Sequence, residues 1–121
     1  GLHLPILVYR KKTGSVEEID TDGTWIGLNY GISKSFCNSE LNLHTGDIML
    51  LYTDGITESW ITGETASGEN SALHFFGQDL LAQILKQMCD STPDDIRSRI
   101  ISELSMYEQK DDVTFVVLKK L

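Results

Sequence analysis

Five consecutive apolar residues, Ile48-Met49-Leu50-Leu51-Tyr52, constrain the fold of this chain more than any other segment. A strand with one solvated face alternates apolar and polar residues, whereas a run that is apolar at every position needs cover on both faces. The run stops shortly before Asp54-Gly55, a dipeptide that is typical of turns. The sequence therefore predicts a central strand of a sheet that ends at Asp54.

Further strands are predicted on both sides of the central one. They share β-branched or alternating residues bounded by Gly, Asp and Lys-containing turns. The predicted strands cover residues 4–9, 15–19, 33–43 and 113–118. Turns are predicted at 11–14, which lets 15–19 return antiparallel to the first strand, and at 44–47, which closes a hairpin.

Two helices are predicted between the central and last strands. Apolar residues recur at helical spacing from Gly77 to about Cys89. The second helix has a clear start, because Thr92 is a suitable N-cap and Pro93 suits the first helical position. Residues 61–74 are rich in Gly, Ser and Thr and are predicted to form a long loop. Strands, two helices and a final strand indicate the α+β class with mainly antiparallel pairing.

Composition excludes some classes of function. The 121 residues include 10 basic and 18 acidic side chains, a formal net charge of −8. This balance disfavours binding to a nucleic-acid backbone and suits a site that collects cations. No apolar run approaches the ~20 residues that cross a bilayer. Cys37 and Cys89 form neither a disulfide framework nor a zinc spacing, which indicates a reducing cytosol.

Two groups of carboxylates stand out by their position. Asp54 ends the central strand, and Asp111-Asp112 begins the last one. If these strands are antiparallel neighbours, the acids meet at one rim of the sheet, where they repel unless one is protonated or a cation lies between them. Oxygen ligands favour Mg²⁺ or Mn²⁺, and Gly55 allows close approach. The alternative is that Asp-Gly is only a turn and the acidic pair only a solvated cap.

Several stretches resemble motifs of one known family. Gly46–Glu58, which contains Tyr-Thr-Asp-Gly, is similar to the signature of the SpoIIE/RsbU-type branch of the PPM (PP2C-like) metal-dependent serine/threonine phosphatases. Lys110–Leu118, which contains Asp-Asp-x-Thr, is similar to the closing motif of that family. Gly1–Val8 resembles the family's Ala-Gly-His-x-Pro-Pro-Leu-Leu with two departures, and Trp25–Leu28 resembles its Pro-Leu-Gly-Leu. The matches follow the family's order along the whole chain.

The resemblance implies an αββα sandwich with a dinuclear Mn²⁺ or Mg²⁺ site at one edge. Asp54 and Asp111 match metal ligands, and no catalytic side chain is implied beyond a metal-activated water that attacks the phosphoryl group. Supporting positions around the ligands are implied at Gly55, Glu58, Asp112 and Thr114. Glu58 could orient the water or be a solvated loop residue, and Thr114 could bond to a ligand carboxylate or simply pack.

The same resemblance places residues 1–121 in the C-terminal portion of one phosphatase domain. The chain begins at Gly1 in strand-like sequence, so we interpret its start as a cut within a larger protein. The family's other metal-binding aspartates come from an N-terminal portion, so the fragment alone is expected to be inactive. Without that portion the sheets should expose apolar edges, through which a homodimer could form.

The implied activity is hydrolysis of phosphoserine or phosphothreonine on a regulatory protein. By analogy this substrate is an anti-anti-sigma-type regulator in bacterial partner-switching signalling that controls a sigma factor. The expected location is the cytoplasm, with no nucleic acid and no membrane contact by this segment, although other domains could anchor the parent protein. Two alternatives stay open: a non-catalytic pseudophosphatase that binds a signalling partner, and an acidic scaffold without metal. Aspartates in the upstream portion would favour the enzyme.

Overall fold

The computed structural model describes residues 4–21, 38–64 and 70–121, with the backbone alone for 62–64 and 70–73. Within these residues the chain forms six strands and three helices, which confirms the α+β class. In chain order they are β1 (Ile6–Arg10), β2 (Ser15–Ile19), β3 (Ile48–Tyr52), α1 (Asp54–Thr57), β4 (Trp60–Glu64), β5 (Asn70–Phe75), α2 (Gly77–Gln87), α3 (Pro93–Leu104) and β6 (Phe115–Lys119).

Strand β3 is the central strand that the sequence predicts. It lies between β1 and β6 in a sheet of order β2-β1-β3-β6, and every neighbouring pair is antiparallel. Leu50 stands opposite Leu7 on one side and Val117 on the other. Leu50 and Leu7 are fully buried, and burial of such a side chain stabilises the fold by roughly 1.5–3 kcal/mol.

The helices α2 and α3 cover one face of this sheet. Ile84 of α2 and Ile100 of α3 are fully buried in one core with Leu50. Helix α3 begins as predicted, because the Thr92 hydroxyl accepts a hydrogen bond from the Asp95 amide at 3.2 Å and the Asp95 carboxylate accepts one from the Thr92 amide. This capping box satisfies amides that would otherwise lack a partner. None of the helices within the described ranges has the length and apolar character to cross a membrane.

The other face of the sheet carries apolar side chains that reach solvent. Leu51 is 37% exposed, and Val116 and Leu118 are 47% and 46% exposed. Both valine and leucine lie on β6, the last strand in the sheet order. Three exposed apolar side chains on adjoining strands are a surface that favours cover by another protein segment.

One prediction about a connecting segment is wrong. The loop predicted at 61–74 is largely the antiparallel hairpin of β4 and β5, although 65–69 lie outside the described residues. Its backbone groups pair with each other, so the hairpin needs no apolar alternation in its sequence. The sequence indicated that the central strand ends at Asp54-Gly55, and the one-turn helix α1 begins there.

The predicted strand at 33–43 is wrong where it can be checked. Residues 33–37 lie outside the described residues, as does Trp25–Leu28, and 38–43 form no strand. Although 44–47 do turn, β3 pairs with β1 and β6 instead of with this segment. The Arg10 guanidinium donates a hydrogen bond to the Asn42 carbonyl at 2.8 Å. This carbonyl is therefore bonded to a side chain and not to a neighbouring strand, which is part of the reason why 38–43 form no strand.

A buried aspartate fixes the start of β3. Asp47 is 2% exposed, and its carboxylate accepts hydrogen bonds from the Arg10 guanidinium and from the amides of Lys11 and His44, each at 3.0 Å. Burial alone would raise the pKa of Asp47. The two backbone donors and Arg10 outweigh burial, so the pKa of Asp47 lies below its ordinary value.

We expect the substitution Asp47→Ala to lower the free energy of unfolding by about 3 kcal/mol at pH 7, because it removes the buried acceptor of the Lys11 and His44 amides and one of the two carboxylate partners of Arg10. Since the pKa of Asp47 is lowered by folding, its stabilisation is present above the ordinary carboxyl pKa of about 4 and is lost as the pH falls below it. Urea unfolding at pH 7 and pH 3 measures both effects. The exposed Asp20→Ala variant is the control, and an equal loss of stability in the two variants would contradict the prediction.

Candidate metal centre

The pairing of β3 with β6 brings the predicted acidic residues to one rim of the sheet. Tyr52 and Phe115 form the last pair of the ladder. Beyond it the Thr53 amide donates a hydrogen bond to the Thr114 carbonyl at 3.0 Å. Asp54 directly follows Thr53, and Asp112 lies two residues before Thr114. The rim is therefore assembled from two segments that are distant in sequence.

Thr53 is a positioning residue that the sequence reasoning missed. Its hydroxyl accepts a hydrogen bond from the Thr114 amide at 3.1 Å and also lies 3.4 Å from the Asp112 carbonyl oxygen and 3.3 Å from the Thr114 carbonyl oxygen. A side chain thus continues the strand pairing where the backbone ladder ends. The signal was a threonine at the last extended position before Asp-Gly. Thr114 joins this arrangement through its backbone groups, and its side chain is exposed.

Gly55 permits the closest approach between the two segments. A Cβ atom placed on Gly55 would lie 3.0 Å from the Asp112 carbonyl carbon and 3.3 Å from the Asp111 carbonyl oxygen, with the Asp112 carbonyl oxygen nearer still. Real Cβ atoms essentially never come within 3.0 Å of another heavy atom, as this one would with the Asp112 carbonyl oxygen. Any other residue at position 55 would push residues 111–112 away, so glycine keeps Asp54 beside the acidic pair.

The short helix α1 is anchored below the rim. Ile56 is fully buried, and the buried Ser59 hydroxyl donates a hydrogen bond to the Gly55 carbonyl at 2.7 Å. Glu58 ends the helix, where its amide bonds to the Asp54 carbonyl at 2.8 Å. The Glu58 side chain is exposed and lines a cavity with Trp60, so the structure places it beside the rim.

The rim carries exposed carboxylates of the kind that hard cations prefer. Asp54, Asp111 and Asp112 are all exposed. Asp111 Oδ1 accepts a hydrogen bond from the Asp112 amide at 2.8 Å, which orients the carboxylate and leaves Oδ2 for another partner. Carboxylate oxygens suit Mg²⁺ and Mn²⁺. Across the described ranges, however, no cluster of three or more His, Cys, Asp or Glu residues could hold a metal ion. The donors fit a divalent cation in kind but are an incomplete set.

Comparison with known proteins gives two matches. The family model for stage II sporulation protein E (SpoIIE) matches residues 2–121. The structure is similar to the SiaA-PP2C domain of Pseudomonas aeruginosa, with a TM-score of 0.63 and 22% sequence identity. That match covers 96% of this chain and 43% of the solved one, so this chain spans less than half of that domain's chain. No curated protein matches the chain.

We expect Gly55→Ala to lower the free energy of unfolding by about 1–3 kcal/mol, since the added methyl group meets the backbone of residues 111–112. Thermal or urea unfolding measures the change. Gly14→Ala is an informative comparison because its Cβ would meet nothing within 4 Å. At Gly14 the φ of +67° is unfavourable for alanine, so any loss of stability there comes from backbone strain and not from a steric clash. If Gly55→Ala were neutral, the proposed close approach would be wrong.

We expect Thr53→Val to destabilise the protein by about 1 kcal/mol, because valine keeps the shape but removes the acceptor of the Thr114 amide. Hydrogen exchange should accelerate at the Thr114 amide and remain unchanged at the Val116 amide, which faces β3 within the ladder opposite Leu51. Thr53→Ser restores a hydroxyl and should recover most of the protection. Equal exchange in the valine and serine variants would exclude this role for the hydroxyl.

Proposed function

Because this chain belongs to the SpoIIE family, which is a protein phosphatase family of the PP2C type, we propose that it is the C-terminal portion of a metal-dependent phosphatase domain. The family match supports a role in phosphatase-type signalling. The whole protein's activity, and the N-terminal portion that would complete the domain, are part of this proposal.

The observation that carries the proposal is the close contact of Gly55 with the backbone of Asp111 and Asp112. It holds Asp54 next to the acidic pair from the start of the last strand. We assign Asp54 and Asp111 as ligands of Mn²⁺ or Mg²⁺, which members of this family generally use. When bound, two such ions neutralise phosphoryl charge and provide a nucleophile at neutral pH.

The chain's own residues would prepare this site for a phosphoprotein. The Asp112 amide orients the Asp111 carboxylate, and Thr53 fixes the spacing of the two segments. Asp112 adds a further carboxylate beside the ligands, and Glu58 and Thr114 border them. Two ligands cannot hold two divalent ions tightly, so the remaining aspartates must come from the N-terminal portion. The isolated chain should accordingly be inactive.

The substrate we propose is a phosphoserine or phosphothreonine on a regulatory protein. A PP2C-like domain implies a protein substrate, and the exposed rim is open to one. We extend this to an anti-anti-sigma-type regulator of RsbU-like partner switching, which controls a sigma factor in the bacterial cytoplasm. A homodimer through the apolar surface at β6 would cover Val116 and Leu118.

A second candidate is a non-catalytic signalling module of the same family. The exposed apolar surface of Leu51, Val116 and Leu118 favours it, because such a surface suits a binding partner. The two candidates differ in the N-terminal portion, since only the enzyme requires further aspartates there.

The test is Asp54→Asn in the full-length protein, assayed for Mn²⁺-dependent hydrolysis of p-nitrophenyl phosphate. We expect activity to fall by about 100-fold or more, because the neutral amide is a weaker ligand for the divalent ions that would stabilise charge at the reacting phosphate. Stability should change little, since Asp54 is exposed. Asp20→Asn is the matched control at an exposed site outside the rim. Retained activity would reject the assignment of Asp54, and an inactive wild-type protein would favour the non-catalytic module.

A further inference from the structure

A cavity of about 390 Å³ adjoins the acidic rim. It is lined by Glu58, Trp60, Phe75 and Lys110. Glu58 is the residue that ends α1, and Lys110 directly precedes Asp111. Both segments that build the rim thus continue into the walls of this cavity, which makes it the next surface that a ligand at the rim would meet.

The floor of the cavity is aromatic and its backbone is fixed. The Trp60 amide donates a hydrogen bond to the Glu108 carbonyl at 3.1 Å, and the Glu108 amide donates one to the Trp60 carbonyl at 2.7 Å. Phe75 is the cross-strand partner of Trp60 on β5. This reciprocal pair ties the hairpin to the segment that leads to Asp111, so Trp60 has a defined position relative to Lys110.

Lys110 lies over the indole ring of Trp60. Its ammonium nitrogen is 4.5 Å from the ring centroid, a distance at which the ring face attracts a cation. An aromatic face holds the cation without engaging its donors as strongly as a carboxylate would. The ammonium has three N–H donors, so those that point away from the ring stay available to an anion.

A fixed cation has a specific use at this place. Asp54, Asp111 and Asp112 give the rim three formal negative charges, and Glu58 adds a fourth on the cavity wall. A phosphate dianion that approaches this surface meets repulsion, which a positive charge at its border offsets. An ammonium group also distinguishes a phosphorylated side chain from an unmodified one, because only the former brings a compensating charge.

We infer that Lys110, positioned by Trp60, is a substrate-binding residue that donates hydrogen bonds to the phosphoryl group of the phosphoprotein. This inference rests on the proposed function and names the part of the site that recognises the phosphate. Trp60 acts through Lys110: it holds the ammonium at the border of the rim and does not itself bind the phosphate.

The test measures binding of inorganic phosphate to the full-length protein in the presence of Mn²⁺. Trp60 fluorescence reports binding in a Trp25→Phe background, which leaves one indole in this chain. If the full-length protein has further tryptophans, calorimetric titration replaces fluorescence. We expect Lys110→Met to weaken phosphate binding about ten-fold, as loss of one hydrogen bond to a charged group predicts. Lys110→Arg should retain most of the affinity, and the exposed Lys86→Met in α2 should retain all of it.

Steady-state hydrolysis of a phosphoserine peptide supplies the second measurement. Lys110→Met should raise KM about ten-fold with little change in kcat, since the contact exists before and during the reaction. Equal phosphate affinity in the wild type and Lys110→Met would overturn the inference even if hydrolysis confirms the proposed function. If the wild type binds phosphate through Lys110 but hydrolyses nothing, the inference about Lys110 stands and the enzymatic proposal fails. Lys110 is exposed, so its variants should fold.

Discussion

Antiparallel pairing between β3 and β6 is the constraint on which the rest of the structure depends. Their register places Leu50 opposite Val117 towards the helices and Leu51 opposite Val116 on the other face. A slip of one residue would exchange these faces and remove Leu50 from the core, so burial itself specifies the register. The same register determines which residues meet beyond the strand ends, and the acidic rim is therefore a consequence of how the core is packed.

The local signals in the sequence were sufficient for much of this fold. The uninterrupted apolar run predicted β3, and Thr92-Pro93 predicted the start of α3, because both features act within a few residues of chain. The hairpin of β4 and β5 was missed because its stability comes from backbone pairing and from the bridge between Trp60 and Glu108, which a pattern of apolar residues does not reveal. Asp47 was assigned to a turn because its partner Arg10 lies far away in sequence.

In the candidate site, too, some features could be predicted from the sequence and others depend on contacts between distant residues. Strand order alone was enough to predict that Asp54 lies at the same rim as Asp111-Asp112, since it needs only the directions of two strands; the choice of Asp111 came from the family resemblance. The reasons for their proximity were harder to predict: the Gly55 contact depends on the exact path of residues 111–112, and the Thr53 hydroxyl acts as part of the ladder. The position of Lys110 over Trp60 could not be predicted from the sequence, because it depends on how the side chains of two separate segments pack together.

The two ends of β3 present the same side chain in opposite electrostatic settings. At the start, Asp47 is buried and its charge is balanced by Arg10 and two amides, which contributes to stability. At the end, Asp54 is exposed beside two further aspartates, and the ion pairs found among the described residues involve none of the three. Neighbouring carboxylates without such partners oppose folding unless solvent or a cation offsets their repulsion. The start of β3 therefore contributes stability through a compensated charge, whereas its end presents exposed charges on a backbone fixed by Ile56, Ser59 and Gly55, so that a bound cation would offset repulsion that no ion pair among the described residues offsets.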